Sequence, residues 1–297
     1  MSSHSVSVII PCYNSAKFIK GTIDSVLGQT YQNYEIFAID DGSTDGTREI
    51  LNGYLPNIKI LTHPNNSNLG VGASMNLGVR ESKGDLIAFL DHDDLWQPNK
   101  LLEQAEIFDK YADVGLVYTN VFVIDEDGNE LFEIYENGFR ELNKPEKLLL
   151  KCYIITVSSV TVRRRLFGEI GLFRTDIRDA DHDMWLRMVE RTKLFYLPKC
   201  LASYRKHPGQ ISSGRKIWED GFVTLREASK RYPYGISIKR KRFAILHHRL
   251  GKYDWDHNDY FKALKNYFLA GLLDPFKSFG VILNKVKVLQ DTSRSFR

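Results

Sequence analysis

The chain contains 297 residues, of which 43% are hydrophobic and 26% charged, and its formal net charge is +4. This composition excludes a chain that is disordered throughout and supplies enough apolar side chains for one large domain or a domain with an appendage. The three cysteines, Cys12, Cys152 and Cys200, are odd in number and too far apart for a zinc cluster, so they indicate core thiols in a reducing compartment rather than a disulfide framework.

The first predicted strand covers residues 6–10, a short run rich in β-branched side chains. No basic leader precedes this run, so we expect no signal peptide. Turn and capping residues at positions 11–15 close the strand. Apolar residues at helical spacing then predict a helix over residues 18–28.

The following segments continue this alternation of strand and helix. They are a strand over residues 34–39, a helix over 46–54, a strand over 58–61, and a helix that follows the Asn/Gly-rich loop of residues 65–72 and ends near residue 82. Strands that alternate with helices predict an α/β fold with a mainly parallel, doubly wound sheet, whose ligands bind at the carboxyl ends of the strands.

The next predicted strand, residues 86–90, ends in an acidic cluster, Asp91-His92-Asp93-Asp94. Carboxylates this close repel one another and are costly to desolvate unless a cation lies among them. A hard divalent ion such as Mg²⁺ or Mn²⁺ relieves both effects and keeps coordination positions for phosphate oxygens. The cluster therefore predicts a metal–diphosphate site. The alternative is a solvated acidic turn or a helix cap, since Asp94 precedes a helical pattern.

Three of these segments are expected to converge at one edge of the sheet. Tyr13 follows the first strand, Asp41 the second, and the acidic cluster the fourth. Tyr13 could stack on a base and Asp41 could accept a hydrogen bond from a base imide, as in a nucleotide pocket. The alternatives are turn packing for Tyr13 and helix capping for Asp41, although Asp45 is better placed to cap that helix.

The second half of the predicted sheet is mixed, because it contains a hairpin. Its elements are a helix over residues 101–108, a strand over 114–123, a hairpin turn at 125–128, a short helix from Pro145, and a strand over 154–162. The run Arg163-Arg164-Arg165 indicates a solvated face, with a phosphate contact as the alternative.

Two later segments carry titratable side chains. Asp181 and Asp183 precede an apolar helix, which indicates an acidic N-terminal cap, while one of them could equally be a general base. After a strand over residues 194–197, the polar segment 204–213 could fold over the crevice of the sheet. His207 in this segment is isolated, and an isolated histidine is more often structural than functional.

The C-terminal part of the chain is helical in pattern and basic. Residues 221–297 contain 16 Lys/Arg and 6 Asp/Glu, whereas residues 1–220 contain 25 and 31. No stretch approaches the ~20 apolar residues of a membrane span. These helices could form a subdomain packed on the rest of the chain, or a basic amphipathic surface for an anionic membrane leaflet. No recognised module supports a nucleic-acid role.

The order of motifs resembles that of the family 2 glycosyltransferases of the GT-A fold. The resemblance is carried by segments 6–14, 25–31 and 40–45, by Asn68, Gly70 and Asn76, by the acidic cluster, and by Asp181-His182-Asp183-Met184-Trp185-Leu186-Arg187. These motifs stand in the family's order, which makes the likeness specific. It implies a mixed, mainly parallel sheet flanked by helices, in a nucleotide-sugar glycosyltransferase domain over residues 1–215 with a basic helical extension over 216–297.

The resemblance also implies roles for single residues. The positions that it assigns are Pro11, Tyr13, Asn14, Asp41, Asp91 and His92 for nucleotide binding, Asp93, Asp91 and His207 for the metal ion, and Asp181 for the catalytic base. Asp93 is the expected direct ligand of a Mn²⁺ or Mg²⁺ ion that bridges the diphosphate. His207, with Ser212 and Ser213, resembles a C-terminal His-x-x-x-x-Ser segment that contacts the metal or diphosphate in some members.

Two positions depart from the family's pattern. Met75 stands where many members have an Arg before Asn76, so one expected cationic contact is missing. Ala180 replaces the Glu that usually precedes the base, but Asp181 keeps the base itself. A catalytically weakened nucleotide-binding scaffold, or a subunit of a glycan-assembly complex, is therefore the alternative to an active enzyme.

The expected activity is an inverting, metal-dependent transfer of a sugar from a nucleotide-diphosphate donor, with UDP favoured, to a hydroxyl acceptor. Cell-surface polysaccharide or glycan synthesis is the expected setting, with a glycan or lipid-linked glycan as acceptor. A dinucleotide-dependent oxidoreductase is disfavoured because no Gly-x-Gly-x-x-Gly fingerprint follows the first strand. We expect a cytoplasmic protein, with peripheral contact to the inner face of an anionic membrane and no nucleic-acid partner.

Overall fold

The computed structural model describes residues 4–136, 138–140, 143–209 and 214–275. These residues form two compact units, of which the first contains a sheet and the second is helical. The first unit consists of the residues up to Lys147, Cys152–Asp176, and the residues from Ala180 to position 209. The second consists of Leu148–Lys151, Ile177–Asp179, and the residues from position 214 onward.

Within the described residues, the first unit is built around a nine-stranded sheet. Its strands are β1 Val6–Cys12, β2 Tyr34–Asp40, β3 Lys59–Thr62, β4 Leu86–Phe89, β5 Leu95–Trp96, β6 Val114–Ile124, β7 Glu130–Glu133, β8 Val160–Arg163 and β9 Lys193–Arg205. The spatial order is β3-β2-β1-β4-β8-β6-β9-β5, with β7 paired to β6. The pairs β1–β2, β1–β4, β2–β3 and β6–β9 are parallel. The pairs β4–β8, β5–β9, β6–β7 and β6–β8 are antiparallel. The predicted mixed, mainly parallel α/β sheet is confirmed.

Helices cover both faces of the parallel part of this sheet. The helices up to residue 189 are α1 Ile19–Leu27, α2 Thr47–Asn52, α3 Val71–Glu81, α4 Lys100–Lys110, α5 Pro145–Leu150, α6 Leu166–Ile170 and α7 Ala180–Val189. On β1, Val8 and Ile10 share a core with Ile23 of α1. Ile9 points to the other face, because side chains alternate along a strand, and lies against Gly78 of α3. Both faces of β1 are therefore buried, which explains why its residues are apolar except for Ser7.

The register of the parallel strands brings their carboxyl ends to one edge. Cys12 on β1 lies opposite Asp40 on β2, and the Asp41 N–H donates to the Cys12 carbonyl at 2.8 Å. β4 pairs in parallel with the other side of β1. Tyr13, Asp41 and the acidic cluster therefore leave the sheet at the same edge, as the alternating pattern predicts.

Two strands have bounds that differ from those predicted. The strand expected over residues 154–162 begins only at Val160, as β8, because Val157–Ser159 form a 3-10 turn. The strand expected over 194–197 continues to Arg205 as β9, because it pairs with β6 along nearly its whole length. The first residues of the predicted polar segment therefore belong to the sheet.

The arginine run after β8 is only partly a solvated face. Arg163 Nε donates to the Val114 carbonyl at 2.8 Å, and Arg164 Nε donates to the Gly84 carbonyl at 2.6 Å. Arg165 is exposed. The interpretation as a solvated face is correct for Arg165 and wrong for Arg163, because the guanidinium group of Arg163 binds a neighbouring backbone carbonyl.

The second unit is helical, as its sequence pattern predicts. Its long helices are α8 Arg215–Arg231, α9 Ile236–Asp256 and α10 Tyr260–Leu273. α9 and α10 form an antiparallel hairpin, in which His247 Nδ1 and Asn266 Oδ1 lie 2.9 Å apart. Among the described helices, none is long and apolar enough to span a membrane.

Candidate active site

Asp41 is buried just beyond the carboxyl end of β2 and holds the Asn/Gly-rich loop. Its Oδ1 accepts a hydrogen bond from the Leu69 N–H and its Oδ2 accepts one from the Gly70 N–H, both at 2.8 Å. His63 Nε2 lies 3.5 Å from Oδ1. Gly70 has a φ of +87°, which favours glycine over residues with a side chain. The next helix is capped instead by Asp45, whose carboxylate accepts a first-turn N–H of α2 at 3.0 Å.

Pro11, Tyr13 and Asn14 lie at the end of β1. Pro11 is buried within the strand, whereas the Tyr13 side chain beyond it is 44% exposed. Asn14 has a φ of +47°, and its Oδ1 accepts a hydrogen bond from the Thr44 N–H at 2.8 Å. This bond joins the loop after β1 to the loop after β2. The exposed Tyr13 side chain therefore stands next to the strand that leads to Asp41.

Asp94 is the most deeply buried carboxylate of the acidic cluster. It accepts hydrogen bonds from Ser158 Oγ at 2.6 Å, Thr156 Oγ1 at 3.0 Å and the Arg205 N–H at 2.9 Å. The prediction that Asp94 caps a helix is wrong, because α4 begins only at Lys100. Asp94 instead joins the acidic cluster to the 3-10 turn before β8 and to the end of β9.

Asp93 and His207 form a close pair. His207 Nε2 lies 2.9 Å from Asp93 Oδ2, and Arg205 Nε donates to the Asp93 carbonyl at 2.7 Å. The ring of Phe18 lies beside that of His207, with centroids 5.1 Å apart. His207, which looks isolated in the sequence, therefore contacts Asp93 of the acidic cluster. Ser212 and Ser213, which extend the resemblance in this segment, lie outside the described residues.

Burial and the close spacing of the carboxylates raise the pKa values of two members of the acidic cluster, Asp91 and Asp94. Burial, followed by repulsion from Asp94, Asp93 and Asp181, raises the pKa of Asp91 well above its ordinary value. Burial and repulsion from Asp93 raise the pKa of Asp94 to about 7. The Asp181 carboxylate is thus close enough to act on the acidic cluster through space. A cation among these groups would lower both pKa values, because it favours the ionised forms.

Asp181 lies in the first turn of α7, and its Oδ1 accepts a hydrogen bond from the His182 N–H at 2.8 Å. Asp183, the other acid of this turn, is buried and pairs with Arg187, whose Nε lies 2.9 Å from its Oδ2. Arg187 also donates to the Ile170 carbonyl at 2.7 Å. Asp183 therefore has a structural partner within α7, and Asp181 is the acid of this helix whose charge acts on the acidic cluster.

The two departures from the family's pattern are both buried. Met75 on α3 and Ala180 at the start of α7 are 4% and 7% exposed. Asn76, next to Met75, exchanges two hydrogen bonds with the backbone of Phe173, each at 2.8 Å. Asn76 therefore fastens α3 to the segment before α7.

Oxygen and imidazole groups that suit Mn²⁺ or Mg²⁺ lie together at the acidic cluster. Asp93 and His207 supply one of each, and His92 Nδ1 is buried without a hydrogen-bond partner among the described residues. In that part of the chain, no group of three or more His, Cys, Asp or Glu side chains is arranged to hold a metal. Mg²⁺ and similar ions are often bound by one or two carboxylates together with substrate phosphates. The residues therefore fit an ion shared with a diphosphate better than a closed protein site.

Four contacts of this site were missed in the sequence. Thr156 and Ser158 fall in a segment that reads as an ordinary strand, and the pattern gives no sign that their hydroxyls turn toward Asp94. Arg205 carries a charge but lies 111 positions from Asp94. His63, which lies near Asp41, follows a short strand and has no motif around it.

A family model described as glycosyl transferase family 2 matches residues 7–171, more than half of the chain. The chain belongs to glycosyl transferase family 2. Within this glycosyltransferase the matched residues include Asp41 and the whole acidic cluster, while Asp181 and His207 lie beyond the matched range.

Relatives and solved structures agree with this assignment. The putative teichuronic acid biosynthesis glycosyltransferase TuaG of Bacillus subtilis is 33% identical over 218 residues, which are 71% of this chain and 82% of the relative. This glycosyltransferase also matches uncharacterized glycosyltransferases of Rickettsia, and it covers 35% of the one from Rickettsia felis and 66% of the one from Rickettsia typhi.

Two glycosyltransferase structures share the GT-A fold of this chain. Staphylococcus aureus TarS 1-349 in complex with UDP-GlcNAc has a TM-score of 0.63 and 20% identity, over 85% of this chain and 73% of that chain. The mannosyltransferase PcManGT from Pyrobaculum calidifontis, in complex with GDP-Man and Mn²⁺, has a TM-score of 0.62 and 18% identity, over 96% of this chain and 80% of that chain. At these identities the likeness concerns the fold.

Proposed function

We propose that this glycosyltransferase transfers a sugar, with inversion and with a divalent metal ion, from a nucleotide-diphosphate donor to a hydroxyl acceptor. The observation that carries the proposal is the close pair of Asp93 and His207 at the carboxyl end of β4, within electrostatic reach of Asp181. A metal-binding pair and a separate carboxylate are the two groups that such a transfer requires.

The donor nucleotide binds, in this proposal, at the ends of β1 and β2. The exposed Tyr13 ring stacks on the base, and Pro11 forms the wall beneath it. Asp41 accepts the base imide hydrogen, since a carboxylate that already accepts two backbone hydrogen bonds keeps further lone pairs. Asn14 keeps the two loops together through its bond to Thr44.

The diphosphate binds at the end of β4. Asp93 and His207 would hold a Mn²⁺ or Mg²⁺ ion, which would supply positive charge against the negative charge of the leaving nucleoside diphosphate. Asp91 and His92 adjoin this proposed ion site. Their backbone position is fixed because the Asp91 N–H donates to Ser158 Oγ at 3.0 Å. The mannosyltransferase of the same fold was solved with Mn²⁺, which supports the choice of ion.

Asp181 is the general base of the proposed reaction. A carboxylate in the first turn of α7 can take the proton of the acceptor hydroxyl, so that the oxygen attacks the sugar from the face opposite the diphosphate. One such attack inverts the anomeric configuration. The charge of Asp181 is one of those that raise the pKa of Asp91, so the proposed base acts on the acidic cluster in which the ion would bind.

The nature of the donor and acceptor is proposed from the relatives. The structure of TarS with UDP-GlcNAc favours a UDP sugar as donor, and the name of TuaG, a putative teichuronic acid biosynthesis glycosyltransferase, favours a role in polysaccharide synthesis at the cell surface. Because Met75 stands where many members have an Arg, we propose that Asp41 and Tyr13 set the nucleotide preference. We place the catalytic domain at residues 1–215 and a basic extension at 216–297, with the enzyme acting in the cytoplasm at the inner face of the cell membrane.

A panel of nucleotide sugars tests the proposal. The melting temperature of the purified chain is measured with each nucleotide sugar, in the presence of Mn²⁺ or of a chelator. Hydrolysis of the donor is measured under the same conditions from the amount of nucleoside diphosphate released. At least one UDP sugar is expected to raise the melting temperature and to be hydrolysed, in both cases only with Mn²⁺. Stabilisation without hydrolysis of any donor would instead favour the nucleotide-binding scaffold, in which the changes at Met75 and Ala180 have removed catalysis.

A further inference from the structure

The helix α10 exposes its large apolar side chains and buries its small ones. Phe261, Leu264, Phe268 and Leu272 are 83%, 60%, 67% and 64% exposed. By contrast, the buried residues of the helix are Ala263, Asn266 and Ala270. This is the reverse of the usual amphipathic helix of a soluble domain, whose large apolar residues face the core.

The four exposed residues form one continuous stripe. Their spacing of three, four and four positions places them along a single face of the helix. We call this face the α10 stripe. The opposite face is fixed, because Asn266 Nδ2 donates to Asp254 Oδ2 on α9 at 3.0 Å and Gly251 of α9 leaves room for Tyr267. The outward direction of the stripe therefore follows from close packing against α9.

The charges around the α10 stripe are basic. α10 contains Lys262 and Lys265, both exposed, and no acidic residue between Tyr260 and Leu273, while Asp259 at its N-cap pairs with Lys262 at 2.7 Å. The neighbouring helix α9 carries Arg240 and Lys241, also exposed. The sequence of residues 276–297 adds five Lys/Arg and one acid. An apolar face with lysines at its margin matches the apolar interior and anionic headgroups of a lipid leaflet.

We propose that the α10 stripe inserts into the interfacial region of an anionic membrane leaflet. The proposal deepens the proposed function and rests on it for the membrane-side acceptor. Other occupants fit the charges less well. Two copies of α10 placed face to face would bring their lysines together, and within residues 260–273 neither helix has an acid to pair with them; the nearest acid, Asp259, already pairs with Lys262 of its own chain. Residues 276–297 are themselves basic, so covering the stripe with this segment would concentrate like charges.

Vesicle binding by the full chain tests this surface. Vesicles of phosphatidylcholine alone and of equal parts phosphatidylcholine and phosphatidylglycerol are sedimented with the protein at low and high salt. We expect binding to the mixed vesicles only, weakened by salt. The double variant Phe261→Ser/Phe268→Ser is expected to bind about tenfold or more weakly, because two large apolar side chains are lost from the interface.

Ile236→Ser provides the matched control. Ile236 is the first residue of α9 and is 83% exposed, as Phe261 is, but lies outside the stripe. This variant should bind vesicles as the unmodified chain does. Metal-dependent donor hydrolysis in the absence of lipid should be unchanged in both variants, so a failure of the membrane proposal is distinguishable from a failure of the proposed enzyme activity.

Four results would overturn the proposal. The first is absence of binding to mixed vesicles by the unmodified chain, and the second is equal binding by the double variant. The third is a dimer that the double variant separates, which would show that a second copy covers the stripe. The fourth is a melting temperature lowered by several degrees in the double variant alone, which would show that the chain's own residues cover the stripe.

Discussion

Ser158 is the residue through which two members of the acidic cluster are joined. Its Oγ donates to Asp94 Oδ2 at 2.6 Å and accepts from the Asp91 N–H at 3.0 Å. Asp94 is fully buried, so each donor that it loses leaves part of a buried carboxylate without compensation. The hydroxyl group of Ser158 therefore fixes the backbone on either side of Asp93.

Ser158→Ala should lower the free energy of unfolding by about 1–3 kcal/mol, because it leaves buried polar groups unsatisfied. It should also raise the KM for the donor, since the acidic cluster loses its support. Ser159→Ala is the matched control. Ser159 is equally buried, but its Oγ donates to a single carbonyl, that of Thr156, at 2.9 Å. Urea unfolding and donor kinetics of both variants provide the comparison, and equal effects of the two would contradict this account of Ser158.

His207 offers a test of the metal pair. Replacing it by Gln removes the imidazole 2.9 Å from Asp93 Oδ2, so the Mn²⁺ concentration for half-maximal donor hydrolysis should rise about tenfold or more. His4→Gln serves as control, because His4 also lies beside a carboxylate, that of Asp109 at 3.4 Å, but away from the acidic cluster. An unchanged Mn²⁺ requirement in His207→Gln would remove His207 from the site.

At the scale of elements, α4 begins with a lysine that is wholly buried. Lys100 Nζ donates to Gln104 Oε1 at 2.7 Å and lies 4.1 Å from the centroid of the Trp96 ring. Burial lowers the pKa of Lys100 well below its ordinary value. At pH values between the lowered pKa and the ordinary one near 10.4, Lys100 is protonated in the unfolded chain and neutral in the folded chain.

Stability in that pH range should therefore rise with pH, and it should fall as the pH drops toward the lowered pKa of Lys100. Lys100→Met keeps the length of the side chain and removes the titrating group. The unfolding free energy of the unmodified chain minus that of the variant should therefore become more positive as the pH rises toward 10. A difference that stays constant over this range would show that Lys100 is charged in the folded protein.

The sequence predicted the elements whose periodicity is strong and local. β1, β2 and β4 have largely apolar runs, and α1 and α3 have clear helical spacing, so their bounds agree with the structure within a few residues. β8 was predicted too early because its start depends on the 3-10 turn of Val157–Ser159. That turn is stabilised by side-chain hydrogen bonds, which leave no periodic pattern in the sequence.

At the scale of the whole molecule, the site is assembled from distant parts of the chain. The loops after β1, β2 and β4 could be placed together from topology alone, because parallel strands end at one edge. The contacts of Asp94 with Ser158 and Arg205 join residues 64 and 111 positions apart. No local pattern encodes such pairings, so they are seen only in the folded chain. The roles of Asp181 and His207 came from the resemblance; His207 lies 2.9 Å from Asp93 Oδ2, and the charge of Asp181 contributes to the raised pKa of Asp91.

The most direct test of the central claim is the behaviour of Asp181→Asn. In this variant the shape of the side chain is kept and its ability to take a proton is lost. With a donor that the unmodified chain hydrolyses in Mn²⁺, we expect turnover to fall by about 10²-fold or more, while the affinity for UDP in Mn²⁺, measured by calorimetry, stays within about twofold. Unchanged turnover, with intact UDP binding, would contradict the assignment of Asp181 as the base of an inverting transfer.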